Sequence, residues 1–103
     1  MTLYYVVRAD LPWDRRCVQL IHAREAWIEY EKDPLRAPNH GFDGTSGTCT
    51  AVVYKVVDLF VLEGLSKRLL GDGRRVVGFH EPDLRGELTA LCTPDGPLAL
   101  ALL

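Results

Sequence analysis

The chain opens with an apolar run, Leu3 to Val7, rich in Tyr and Val and ending at the charged Arg8 and Asp10. Apolarity that is continuous rather than alternating suits a strand covered on both faces. Pro12 sits where a helix can begin, with Asp14 in its first turn at the positive end of the helix dipole. From Cys17 to Tyr30, residues Cys17, Leu20, Ile21, Trp27 and Ile28 recur at helical spacing and predict a core-facing stripe. Residues 33 to 47 hold Pro34, Pro38, Asn39, Gly41, Gly44, Ser46 and Gly47, which is the chemistry of a long loop. Thr48 to Val57 reads as a second strand, rich in Thr, Val and Tyr with a single charge at Lys55. Asp58 is then an N-cap for a helix carrying Leu59, Leu62, Leu65 and Leu69, with Gly71 as its expected left-handed C-cap. Arg75 to Phe79 and Glu87 to Cys92 read as two further strands, closed by the turn Pro94-Asp95-Gly96. The apolar tail Leu98 to Leu103 is expected to dock on the domain or on a partner.

The resulting order, β-α-β-α-β-β, predicts an α/β fold: a three-layer α/β/α arrangement with a four-stranded mixed sheet. Strands separated by helices favour right-handed crossovers and a common direction, so the first three strands are expected to be parallel. The connection between the last two is too short for a helix, so one of them should run antiparallel.

Composition narrows this picture without redirecting it. A chain of 103 residues has room for one domain, residues 1–103, and its 48% apolar and 25% charged content is ordinary for a globular protein. No apolar run reaches the roughly 18–20 residues that span a bilayer, and the first residues lack the basic start and long apolar core of a signal peptide. A cytoplasmic protein without a membrane partner is the expectation. Cys17, Cys49 and Cys92 are odd in number, widely spaced and without a Cys-x-x-Cys pair, so they read as small hydrophobes rather than a disulfide framework. The net charge of −2 counts against a dedicated nucleic-acid binder unless the twelve Lys and Arg gather on one face.

Two clusters could carry chemistry. Gln19 and His22, three residues apart, share one side of the first helix, rotated away from the Cys17, Leu20 and Ile21 stripe. An amide and an imidazole together can orient a ligand or move a proton, although a lone histidine more often satisfies a backbone carbonyl. The run from His80 to Ala90 places Glu81 and Asp83 beside a histidine and an arginine at strand ends. That group suits general acid–base work, and it equally suits a solvated turn.

Taken in order, Tyr5-Val6-Val7-Arg8-Ala9-Asp10-Leu11 and Gln19-Leu20-Ile21-His22-Ala23 resemble the opening of type 2 peptidyl-tRNA hydrolases. Glu81-Pro82-Asp83-Leu84-Arg85-Gly86-Glu87-Leu88-Thr89-Ala90 is similar to a short bacterial and phage branch of that superfamily. The resemblance covers nearly the whole chain outside residues 33–47. It implies cleavage of the ester joining a peptide to the 3′ end of tRNA, with no metal and no cofactor. It further implies catalytic roles for His22 and Asp83 in activating water and for Gln19 in positioning the carbonyl, with Arg15, Arg16, Arg24 and Arg85 forming an RNA-binding patch. Two departures stand out. Pro12-Trp13-Asp14-Arg15-Arg16 lacks the lysine with which the family helix opens, and Glu87 falls where the family has threonine. The rival readings are a non-catalytic relative that binds RNA or a protein, and a small homo-oligomer, such as a homodimer, joined through the apolar tail.

Overall fold

A computed structural model describes residues 2–32 and 50–95. The expected loop, the apolar tail, Cys49 and Gly96 lie outside the described residues. The elements are β1 (Thr2–Arg8), α1 (Trp13–Lys32), β2 (Thr50–Val56), α2 (Leu59–Gly71), β3 (Val77–Glu81), the short 3₁₀ turn η1 (Pro82–Leu84) and β4 (Glu87–Thr93). The four strands form one open mixed sheet in the order β2-β1-β4-β3. β1 and β2 pair in parallel, while β4 is antiparallel to both β1 and β3. The first three strands therefore share one direction, as expected, but β4 inserts between β1 and β3.

The continuous apolarity of β1 matches its central place. Leu3, Tyr5 and Val7 join Ala23 and Trp27 of α1 with Ala90 and Cys92 of β4 in one core cluster. Val6 faces the other way and packs with Leu62, Leu65 and Leu69 of α2 and with Leu88 and Leu91. One helix thus covers each face of the sheet. β2 sits at an edge, which is why only Val56 among its residues is buried. Cys92 is fully buried and Cys17 partly so, as small hydrophobes would be.

Three local expectations shift. The buried residues of α1 are Gln19, Ala23 and Trp27; of the expected stripe, Trp27 lies in the core and Leu20 packs against it half-buried, whereas Ile21 is 59% exposed. Spacing of i, i+4, i+8 selects the buried face, and Ala23 leaves room for close approach to the sheet. Helix α2 runs through Gly71 and ends at Asp72, and the left-handed residue is Gly73 (φ 73°). There the Arg74 N–H donates to the Leu69 carbonyl (2.9 Å) and the Gly73 N–H to that of Leu70 (3.0 Å), the Schellman pattern that satisfies a helix end. Finally, β3 begins two residues later than expected and runs through His80 and Glu81. Asp58 caps α2 as expected, its carboxylate accepting from the Val61 N–H at 3.1 Å.

Candidate functional site

The shared direction of β1, β2 and β3 brings Arg8, Val56 and Glu81 to one end of the sheet, where both helices begin and β4 starts at Glu87. Open α/β sheets place ligands beyond such carboxyl ends. A buried polar chain lies here. The Thr89 hydroxyl donates to Gln19 Oε1 at 2.7 Å, and Gln19 Nε2 donates to Glu81 Oε2 at 3.0 Å. The other Glu81 oxygen, Oε1, accepts from the Asp83 N–H at 3.3 Å. All three side-chain partners are buried. Each of these side-chain polar atoms has a hydrogen-bond partner, which is the condition for burying an amide and a carboxylate without a large desolvation cost.

A break in the sheet register makes this chain possible. Phe79 pairs with Ala90 but His80 pairs with Leu88, leaving Thr89 as the extra residue of a β-bulge. Consecutive strand residues ordinarily face opposite sides. The bulge turns Thr89 and Ala90 both toward α1, one to Gln19 and the other into the apolar cluster. The link from β3 to β4 is equally constrained. Arg85 (φ 59°) and Gly86 (φ 75°) are both left-handed, and the Gly86 N–H donates to the Glu81 carbonyl at 3.0 Å. Left-handed geometry at a non-glycine residue costs on the order of 1 kcal/mol, so the surrounding turn holds Arg85 there.

The hydrogen bond from Gln19, then that from the Asp83 backbone, holds the Glu81 carboxyl below its ordinary range; the charges of His22 and Arg15 act in the same sense and burial opposes them. Glu81 is therefore a carboxylate at neutral pH. Beside it, Arg8 is buried and forms a two-pronged pair with Asp10 (2.9 and 2.8 Å). Its Nη1 reaches Glu87 Oε1 at 2.9 Å and the Leu88 carbonyl at 3.3 Å. The guanidinium holds Asp10 below the usual carboxylate range. It also meets the negative charge that Glu87 brings to this end of the sheet.

Of the residues anticipated from sequence, Gln19 lies in the buried chain. His22 stacks on Phe79, with ring centroids 4.6 Å apart, and its Nδ1 is 3.8 Å from Glu25. Asp83 is exposed and offers its backbone N–H to the Glu81 carboxylate, so the side chain against Gln19 is Glu81. Arg15 is close enough to act on Glu81 electrostatically, and Arg16 lies 5.6 Å from the Trp13 ring centroid. Arg24, nine residues past Arg15 and so about half a turn around the helix, instead donates to the Tyr5 hydroxyl at 3.4 Å. Arg85 is exposed on the turn. Thr89 is the residue that sequence reasoning did not single out, and Glu81, an acid–base candidate beside Asp83, takes the place given to Asp83. Their available signals were an acidic residue ending an apolar strand just before Pro82, and a threonine among the apolar residues of β4.

Among the described residues, no three His, Cys, Asp or Glu side chains are grouped to hold a metal ion, and no helix is long and apolar enough to cross a membrane. No protein-family model matches the chain, and no curated protein shows significant sequence similarity to it.

Proposed function

We propose that the protein hydrolyses the ester of peptidyl-tRNA, or of a related acyl-tRNA, with Glu81 in the role anticipated for Asp83. The observation that carries this reading is the Thr89–Gln19–Glu81 chain, which holds a carboxylate in one orientation at the carboxyl end of the parallel strands, where open α/β sheets commonly bind ligands. The resemblance points to an acidic residue in the Glu81-Pro82-Asp83 segment, and of its two carboxylates Glu81 is the one that Gln19 holds, while Asp83 is exposed. Ester hydrolysis needs an activated water and groups that fix the reacting carbonyl. Glu81 activates the water, Gln19 fixes the carboxylate, His22 supplies a second proton-exchanging group, and Arg15 and Arg16 hold the tRNA end.

The alternative, a non-catalytic relative that binds RNA, is favoured by one feature. Both Glu81 oxygens already accept hydrogen bonds, as they would in a purely structural clamp. Release of peptide from purified peptidyl-tRNA decides between them. The parent protein should turn over, Glu81→Gln should lose at least about 100-fold, the lower end of what a general base contributes, and Asp83→Ala should change little. RNA binding by the parent without turnover would establish the non-catalytic reading.

A further inference from the structure

Trp13, Arg16, Gln19 and His22 recur every three residues, so they form one continuous ridge along the start of α1. The ridge descends from Trp13, 71% exposed, past Arg16 to Gln19, 2% exposed, at the polar chain. A large ring so open to water is unusual for a residue that would contribute strongly to a core. Among the described residues Trp13 belongs to neither core cluster, and the indole that packs against the sheet is Trp27. The Arg16 guanidinium lies over the Trp13 ring at 5.6 Å, a cation–π distance, and its Nε is buried without a hydrogen-bond partner. Neither Arg15 nor Arg16 forms an ion pair among the described residues. Asp10 and Glu87 are both paired with Arg8, and Asp14 lies on the far side of the helix from Arg16.

An open indole flanked by two arginines that form no ion pair among the described residues is complementary to one ligand chemistry: an aromatic base joined to a phosphate. We infer that Trp13 is a stacking platform for an unpaired nucleotide of RNA, with Arg15 and Arg16 on the adjoining phosphates. Trp13 stands six residues before Gln19, about 9 Å along the helix axis. A strand end stacked on the indole is thereby led toward the Glu81 carboxylate. The choice of an RNA acceptor end rests on the proposed hydrolase reading, whereas the stacking surface itself rests on Trp13, Arg15 and Arg16. Base stacking on an aromatic side chain tolerates sequence, so recognition here is of an unpaired end rather than of a particular base.

The probe is a fluorescently labelled single-stranded RNA of about eight nucleotides, within the range one binding surface accommodates. Anisotropy should report binding that weakens about 5- to 150-fold in Trp13→Ala, the range for loss of one stacked base, and far less in Trp13→Phe. Trp27 is fully buried, so quenching of intrinsic fluorescence by unlabelled RNA should come from Trp13 and vanish in Trp13→Phe. Trp13 is exposed enough that both variants should keep the parent melting temperature. Unchanged affinity in Trp13→Ala, or binding without quenching, overturns the inference. If peptidyl-tRNA is hydrolysed with an unchanged KM in Trp13→Ala, the stacking inference fails and the hydrolase reading stands. If Trp13-dependent RNA binding occurs without turnover, the reverse holds.

Discussion

Replacing Thr89 with valine changes almost no volume and removes one hydroxyl, which bonds Gln19 and lies 3.3 Å from the Phe79 carbonyl, so its effect tests the buried polar chain. Thr89 is fully buried, and the Gln19 oxygen that accepts its hydrogen belongs to a side chain 2% exposed. Without the hydroxyl, that oxygen is left in the interior with neither protein nor bulk water to satisfy it. The cost should be about 1–3 kcal/mol, the penalty for a buried unsatisfied acceptor. In a domain of this size each kcal/mol moves the thermal midpoint by about 4–8 °C, so a fall of roughly 5–20 °C is expected. Urea denaturation should show a lower midpoint with an unchanged slope, because the surface exposed on unfolding stays the same. Gln19→Leu provides the second arm of a double-mutant cycle. With the acceptor gone, Thr89→Val should cost much less, giving a coupling of about 0.5–3 kcal/mol. A Thr89→Val protein within about 0.5 kcal/mol of the parent, the range of an unremarkable surface change, would refute the chain. So would strict additivity with Gln19→Leu.

Two other outcomes test the site and the helix end. Because the Glu81 carboxyl titrates below its ordinary value of 4.5 in the folded chain, ionisation favours folding; that stabilisation is complete above the ordinary range and is lost as pH falls through the lowered value. Stability of Glu81→Gln, followed by urea midpoints from about pH 6 to about pH 3, should therefore fall less steeply than that of the parent. Parallel curves would remove Glu81 as an acid-sensitive group. At the end of α2, an added Cβ meets open space at both Gly71 and Gly73, so conformation alone decides the effect. Gly71→Ala, within the helix, should stabilise by about 0.5–1 kcal/mol, whereas Gly73→Ala, at φ 73°, should destabilise by about 1–2 kcal/mol. Equal and same-signed shifts in melting temperature would mean that the helix ends elsewhere.

The element order was readable because the signals for each element were local: an apolar run for β1, leucines at helical spacing for α2, and Asp58 at its start. Sheet order was not readable in the same way, since nothing near Glu87 says that its strand will slide between β1 and β3. The core face of α1 was read only in part, with Trp27 but with the exposed Ile21 and without Gln19, because apolarity was taken as the mark of burial. Gln19 is buried instead because two distant side chains satisfy its amide. Glu81 was passed over for Asp83, and Thr89 was missed, for a related reason. Their partners are 62 and 70 residues away in sequence, and the bulge that aims Thr89 exists only once β3 and β4 have paired. The neighbourhood of the site was legible; the identity of its carboxylate needed the register.

The position of β4 also governs how the chain can acquire its structure. Tyr4 pairs with Thr93, so the inner edge of the first strand waits for one of the last described residues to be made. During synthesis β1, α1, β2 and α2 can assemble, but β1 then presents an open edge and β3 has no neighbour on which to close. Contacts between such distant segments carry a large loop-closure cost before they return any stabilisation, which slows folding and concentrates it in one late step. A chain stopped before Glu87 would lack the strand that joins the two halves of its sheet and would expose backbone amides along a flat, apolar edge. Completion of the final hairpin is therefore the event that turns a growing polypeptide with an adhesive edge into a closed domain, and the same event creates the Thr89 contact on which the polar chain depends.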